Sequence, residues 1–525
     1  MLVVKLGAPA VDQRAAQADC RLLLLGYSSS SSSSSSSFVN SSSANLSRQG
    51  IARASLNCSS PAGPVAVAIS GRYLAQHAQA FSGVNVHSSD ACKAHSSAAY
   101  RNSSVEALLH FCSEQPLHLT LLQPVVHGVA LAVDGNSTNS GIPALLAFGT
   151  INASIVGGSF INNTAGAAVI AIQQAALHLD STEISYHVGQ HARGVHAADS
   201  AAVSISNSSF SNMTAAGAVL ASNKSRISIT ASTFINNTLN QYDSKGGGLL
   251  QFEDSATGTI IGSTISNTTA GQAGGLTAYG NAKAVITRSN FTGNTAASGG
   301  AVGVWASAQV TVDGCSFQHN TATTADGAVG VYDSSKVVIT RSNFTGNKAG
   351  SGGAVGVWGS AQARISACVF DRNYAPGSGA GVWAQERAQV SISHTTFTGN
   401  TADKETAVAV TGDAQVNITS SLFDNNTAGQ WGAAVVMGKR SKVTVNGCSF
   451  QHNAAKTTDG AVGVYDSSEA IITRSNFTDN RGTAGSAVGA WAKAQARISG
   501  CVFERNNAST SGAGVQAQEI SQQEH

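Results

Sequence analysis

A phenylalanine followed three residues later by an asparagine returns along this chain at an interval that leaves few folds open. The pair stands at Phe160/Asn163 and Phe234/Asn237, then runs unbroken from Phe291/Asn294 to Phe503/Asn506. Over that run the spacing is 26 or 27 residues without exception, and Ile184, Phe210 and Ile265 fill the earlier gaps, giving fourteen periods. A fixed period of this length is the mark of a solenoid, in which each repeat buries its apolar face only by stacking on its neighbours. Each period holds three short β-type stretches, such as "AVGVW" from Ala301, "QVTV" from Gln309 and "CSF" from Cys315. Their alternating Val, Ile and Phe fit strands with one buried face, and Gly- and Asn-rich segments between them supply turns. The predicted fold is all-β: a right-handed parallel β-helix of about 26–27 residues per coil, with three short strands in each. A leucine-rich repeat would need a Leu framework that is missing, and a left-handed hexapeptide helix would need a six-residue period.

Composition agrees. Charged residues make up 11% of the 525 and the net charge is +2, with no basic block of the kind a nucleic-acid surface requires. No apolar run approaches the ~18 residues of a membrane-spanning helix, so no transmembrane segment is expected. The start, "MLVVKLGAPAVDQ", lacks the apolar core of a secretory signal. Residues 1–100 carry a serine run from Ser28 to Ser37 and read as a low-complexity, largely disordered region. In 101–116, Ser103 and Glu106 have capping-box spacing before "ALLHF", which predicts a short helix covering the first coil. The β-helix is expected over 117–525, ending mid-coil without a cap, so that the open last coil invites end-to-end association.

A longer repeat lies over the short one. "VTVDGCSFQHN" at 310–320 returns as "VTVNGCSFQHN" at 443–453, and "GAVGVYDSS" at 327–335 returns at 460–468. The 133-residue offset equals five coils, so a five-coil block has been duplicated.

The "GGAV" segments at Gly299–Val302 and Gly352–Val355, paired with Phe-x-x-Asn, resemble the repeats of chlamydial polymorphic outer-membrane proteins and, more broadly, the pectin-lyase-like β-helix superfamily. The resemblance covers about 115–525. It implies a β-helix fold and, from the bacterial family, a surface adhesin. The serine run and Ala-rich composition look more like a eukaryotic, algal-type extracellular β-helix protein.

Several residue sets merit a chemical reading. The asparagines Asn294, Asn320, Asn347, Asn373, Asn400, Asn426, Asn453 and Asn480 form one column, expected to hydrogen-bond from coil to coil as a structural ladder. Cys315, Cys368, Cys448 and Cys501 share the inward face two residues before Phe; the closest pairs are two coils apart, beyond disulfide or zinc reach, so buried free thiols are expected. Cys20, Cys58, Cys92 and Cys112 are free to pair in an oxidising compartment. His187, His191 and His196 form the one His cluster, and no metal or cofactor is expected there.

Polysaccharide-cleaving β-helices need paired carboxylates, or a carboxylate cluster for Ca²⁺ with a basic proton acceptor. The motifs "NTD", "DD", "GHG" and "RIK" are absent, and the Arg-Ile-Ser triplets at Arg226, Arg364 and Arg497 lack the lysine. A column of aromatic residues closing successive first strands is the candidate contact surface: Phe252, Tyr279, Trp305, Tyr332, Trp358 and Trp383, interrupted by Thr411, Gly438 and Gln516. Such rings stack on sugars or a partner protein, or on one another. Eighteen Asn-x-Ser/Thr sequons point to glycosylation wherever the chain enters a secretory route. The expected function is a non-enzymatic extracellular or surface β-helix with a structural, adhesive or glycan-contacting role, meeting glycans or matrix proteins. The alternative is a polysaccharide lyase or hydrolase with a site the motifs do not reveal.

Overall fold

The structure, a computed structural model, describes residues 2–7, 20–25, 53–58, 66–68, 109–122, 125–127, 145–161, 167–189, 192–239 and 247–518. These fall into two compact units, divided after Asn237.

In the second unit each coil is built in the same way. A first strand such as Val302–Val304 is followed by a tight turn, a second strand Gln309–Asp313 and a third strand Ser316–Gln318. Every strand pairs in parallel with its counterpart one coil later: Val302 with Val329, Gln309 with Lys336, Phe317 with Phe344. Ten third strands stack this way, from Thr264–Ser266 to Val502–Glu504. A short further run follows the ladder asparagine in many coils, for example Thr401–Ala402 against Thr427–Ala428. The result is a right-handed parallel β-helix, the hand that parallel strand crossovers take.

Alternation sets what faces in. In Gln309–Asp313 the pattern is Val310 and Val312 buried, Gln309 and Thr311 outward. In the third strand only Phe points inward, and eight consecutive rings from Phe291 to Phe477 are fully buried. Their centroids lie 4.7–5.0 Å apart with nearly parallel planes. This spacing is the strand spacing, so register and ring stacking enforce each other. The turn after Phe needs a left-handed residue just before the ladder asparagine. Gly293, Gly346 and Gly399 supply it in three coils, and His319, Arg372 and Asn425 adopt it in others.

The first unit carries the same motif. Strands Ala176–Asp180 and Ala202–Ser206 pair in parallel, and Phe210 stacks on Phe234 at 4.6 Å. Leu109–Leu122 is a strand, paired in parallel with Leu145–Val156, where a helix over 101–116 was expected. Pro116 cannot continue a helix, and Leu117, Leu119 and Leu121 have the two-residue period of a strand. Residues 101–108 lie outside the described residues. Within 1–100 the described parts are the strands Leu2–Gly7, Cys20–Leu25, Arg53–Cys58 and Ala66–Ala68; the serine run and Cys92 lie outside the described residues. Cys20 and Cys58 are register partners in an antiparallel pair of strands. No helix among the described residues is long and apolar enough to cross a membrane, which says nothing of β-barrels.

Candidate functional site: an aromatic column, buried aspartates and a polar groove

The asparagine ladder is a closed hydrogen-bond system. Asn347 Nδ2 donates to Asn373 Oδ1 (3.0 Å) and to the Phe317 carbonyl (3.0 Å), and the Asn347 backbone N–H donates to the same Oδ1 (2.9 Å). From Asn294 to Asn480 each amide repeats this pattern, so both donors and the acceptor oxygen of each fully buried side chain are used. Nothing is left to hold a ligand. In the first unit His187 occupies the ladder position three residues after Ile184, and its Nε2 lies 3.3 Å from the Phe160 carbonyl. Burial lowers its pKa to about 4, and that of His196 likewise. Both rings are therefore neutral at pH 7. His191 lies outside the described residues, and these contain no group of His, Cys, Asp or Glu able to hold a metal. Cys315, Cys368 and Cys448 are buried free thiols and Cys501 is partly exposed. Burial pushes the Cys368 thiol up to about 11, which keeps it protonated and unreactive.

The aromatic column differs from its sequence-based outline in two places. Phe252 aligns with Ala278, and Ala278 with Val304, so Phe252 faces the core and is fully buried; it belongs to the inward Val304 column. Trp383 aligns with Gly356 rather than with Trp358, because the strand Val382–Ala384 begins two residues nearer its tryptophan. Spacings of 25–27 residues hid both slips; the one-residue slip at Phe252 changes the face, while Trp383, two residues out of register, stays on the outer face. Gln516 is displaced in the same way, aligning with Gly489.

The remaining members lie flat over their own strands. A Cβ at Gly303 or Gly330 would overlap the ring of Trp305 or Tyr332, and one at Gly356 would overlap the Asp326 carboxyl and press on the Trp358 indole N. The middle glycine of each Val-Gly-Val strand is the seat of the aromatic that follows. Trp305 stacks on Tyr332 (5.1 Å, 8°), Tyr332 on Trp358 (6.4 Å, 20°), and Trp383 meets Trp358 edge-on at 4.4 Å. Tyr332 and Trp358, each set between two neighbouring rings, offer a ligand their edges and no free face. Tyr279, 37% exposed, is the most open member. The geometry fits rings stacked on one another; it does not present a platform for sugar faces.

Beneath the column sits a group the sequence reading missed. Asp326 is fully buried, accepts from the Tyr332 hydroxyl, and takes the Trp358 indole N–H at 2.9–3.0 Å. The second copy of the block repeats this, with Asp459 accepting from the Tyr465 hydroxyl and the Trp491 N–H. Burial pushes both carboxyls up to about 7, against the lowering effect of these hydrogen bonds. Asp326 occupies a left-handed position (φ 63°) that Gly299, Gly352 and Gly379 fill in other coils. Its signal was in the sequence: "ADGAVG" stands where neighbouring coils have "SGGAVG".

On the second strands the outward side chains line a shallow groove over six coils, from Lys336 to Ile471. One row reads Lys336, Gln362, Gln389, Gln415, Lys442 and Glu469. The next row holds Val338, Arg364, Ser391, Asn417, Thr444 and Ile471. The rows follow the coil rise of about 4.8 Å. Glu469 is the one acid lining the groove and pairs with Lys442 at 3.1 Å. The arrangement offers amide, hydroxyl and cationic donors at a regular spacing. It offers no pair of convergent carboxylates.

Among known proteins, the family model described as "Right handed beta helix region" matches residues 143–315, 247–401 and 353–519. No curated protein matches the chain. Among solved structures, one titled "Crystal Structure of the periplasmic alginate epimerase AlgG" aligns over 85% of this chain and 95% of that one, at 9% identity and a TM-score of 0.36. A likeness that slight carries no inference about activity.

Proposed function

The chain belongs to the right-handed β-helix family, and from that premise we propose that it is a non-enzymatic extracellular or surface protein that holds an extended glycan chain along the groove of its second strands. The observation that carries this reading is the two rows of outward side chains, in which Gln362, Gln389 and Gln415 recur at one position over three consecutive coils. A polyhydroxylated chain laid along the coil axis meets a donor or acceptor at every ~4.8 Å step. Cationic Lys336 and Arg364 stand at one end, and the exposed Val338 and Ile471 give apolar contact at the two ends. The lone, ion-paired Glu469 favours holding a chain over cleaving one, since hydrolysis needs two carboxyl groups across the bond.

A length series tests this. Binding of oligosaccharides to the intact protein is measured by calorimetry as chain length increases. Affinity is expected to rise until the ligand spans the six lined coils, roughly 24 Å, and then level off. Affinity independent of length, or no binding by any member of a broad glycan panel, contradicts the groove reading.

A further inference from the structure

In the second unit the ladder asparagines and the sequon asparagines are separate sets. The ladder asparagines are buried, and two residues after each comes Ala or Gly: Ala296, Ala322, Ala349, and so on to Gly482. None of them begins a sequon. The asparagines that do begin one in this unit, from Asn267 to Asn507, are all exposed. Among them Asn290, Asn343 and Asn476 sit on the outward face of third strands, in Asn-Phe-Thr. Phe is the buried residue, so Asn and Thr lie side by side on the same outer face, with Thr half-exposed. Asn is depleted in strands, and the same outward position in other coils is held by Ser316, Thr396 or Leu422. Asn267 and Asn425 lie in the turn after the third strand, and Asn507 follows the ladder. Only Asn417 lies elsewhere, on a second strand.

We infer that the third-strand side of this unit is a glycosylated face, with N-linked oligosaccharides at Asn290, Asn343 and Asn476. Transfer joins the anomeric carbon of a lipid-diphosphate-linked oligosaccharide to the asparagine Nδ2. The sugar–phosphate bond breaks, lipid diphosphate leaves, and the amide gives up one proton. The three acceptor side chains are exposed on the folded surface. Placed there, glycans shield the outer surface of the third strands and leave the first strands, with their aromatic column, bare. The inference rests on the extracellular location proposed above and not on the groove.

The test is peptide mapping of the full-length protein purified from the cells that make it, with and without an amidase that cleaves N-glycans. Carbohydrate at Asn290, Asn343 and Asn476, each converted to Asp by the amidase, is the expected result. Unmodified asparagine at all three overturns the inference, whether or not Asn417 carries a glycan. Because glycan binding in the groove is read separately by calorimetry, either idea can fail while the other stands.

Discussion

The two copies of the five-coil block keep the same buried trio and dress it differently. In the first copy Tyr332 and Trp358, which hold Asp326, are covered by Trp305 on one side and Trp383 on the other. In the second copy the residues 133 positions on from Trp305 and Trp383 are Gly438 and Gln516. Tyr465 is met there by Trp431, which comes from a different part of the coil and leans in at 6.1 Å and 48°. The carboxyl, phenol and indole are unchanged, with Trp491 bonded to Asp459 at 3.0 Å as Trp358 is to Asp326. The trio is thus the unit that persists, and the outer stack is an addition around it. A buried acid is costly unless its hydrogen bonds are complete, which explains why Tyr and Trp stay where Asp stays.

The largest effect follows from protonation. Folding raises Asp326 and Asp459 from 3.8 to about 7. A group whose folded pKa is raised contributes its full stability below the unfolded pKa and loses it as pH climbs to the folded one. Each aspartate is therefore expected to remove roughly 4 kcal/mol of stability between pH 4 and 7. Denaturant unfolding of wild type across that window should show the loss, and Asp326→Asn or Asp459→Asn should each flatten about half of it. Unequal halves would mean that the differing cover of the two copies tunes the acid.

Next in size is the ladder, common to both copies. Asn373→Ala strips an acceptor from Asn347 and a donor from the Phe344 carbonyl. A loss of about 3–5 kcal/mol in chemical unfolding is expected, since each stranded buried group costs about 1–3 kcal/mol. Removing one indole donor is smaller. Trp358→Phe or Trp491→Phe should cost about 1–3 kcal/mol and raise the carboxyl pKa further in the copy altered.

The stack itself separates the copies most directly. In a Val436→Gly background, which restores the glycine seat that Gly303 provides, Gly438→Trp should rebuild on Tyr465 the contact that Trp305 makes on Tyr332, since a Cβ at Gly438 meets only the Asp466 carboxylate at 3.5 Å. A gain of about 0.5–1.5 kcal/mol is expected, with a matching loss for Trp305→Ala beyond its burial. Smallest of all is Asp313→Asn. It converts the exposed Arg341–Asp313 pair (2.5 Å) into the neutral Arg474–Asn446 contact of the second copy (3.0 Å), and its effect should stay within about 0.5 kcal/mol.

The fold was legible because the 26–27-residue period, the Phe column and the Asn column each follow from a backbone requirement repeated in every coil. The aromatic column was half legible. Counting spacings placed Tyr279, Trp305, Tyr332 and Trp358 correctly, but a count cannot see where a strand starts, so it puts Phe252 on the wrong face and Trp383 two residues out of register on the outer face. Asp326 escaped notice because an acid in a turn is ordinarily solvated, and only the φ of its position and the rings above it mark it as buried. The groove escaped for the opposite reason: Gln362 and Lys442 are ordinary surface residues, and their meaning lies in their alignment across coils. For 101–116 the capping-box spacing of Ser103 and Glu106 points to a helix, but Pro116 and the alternating leucines from Leu117 outweigh it and the chain forms the strand Leu109–Leu122.

The account holds that the aromatic column is internal architecture and that the second-strand face makes the contact. Glycan binding by intact wild type, by Lys336→Ala/Arg364→Ala and by Tyr279→Ala/Trp305→Ala, measured side by side on one array and checked for folding by circular dichroism, tests this most directly. The account predicts that the groove variant loses at least tenfold in affinity while the column variant binds as wild type does. Full binding by the groove variant, with loss in the folded column variant, would contradict it.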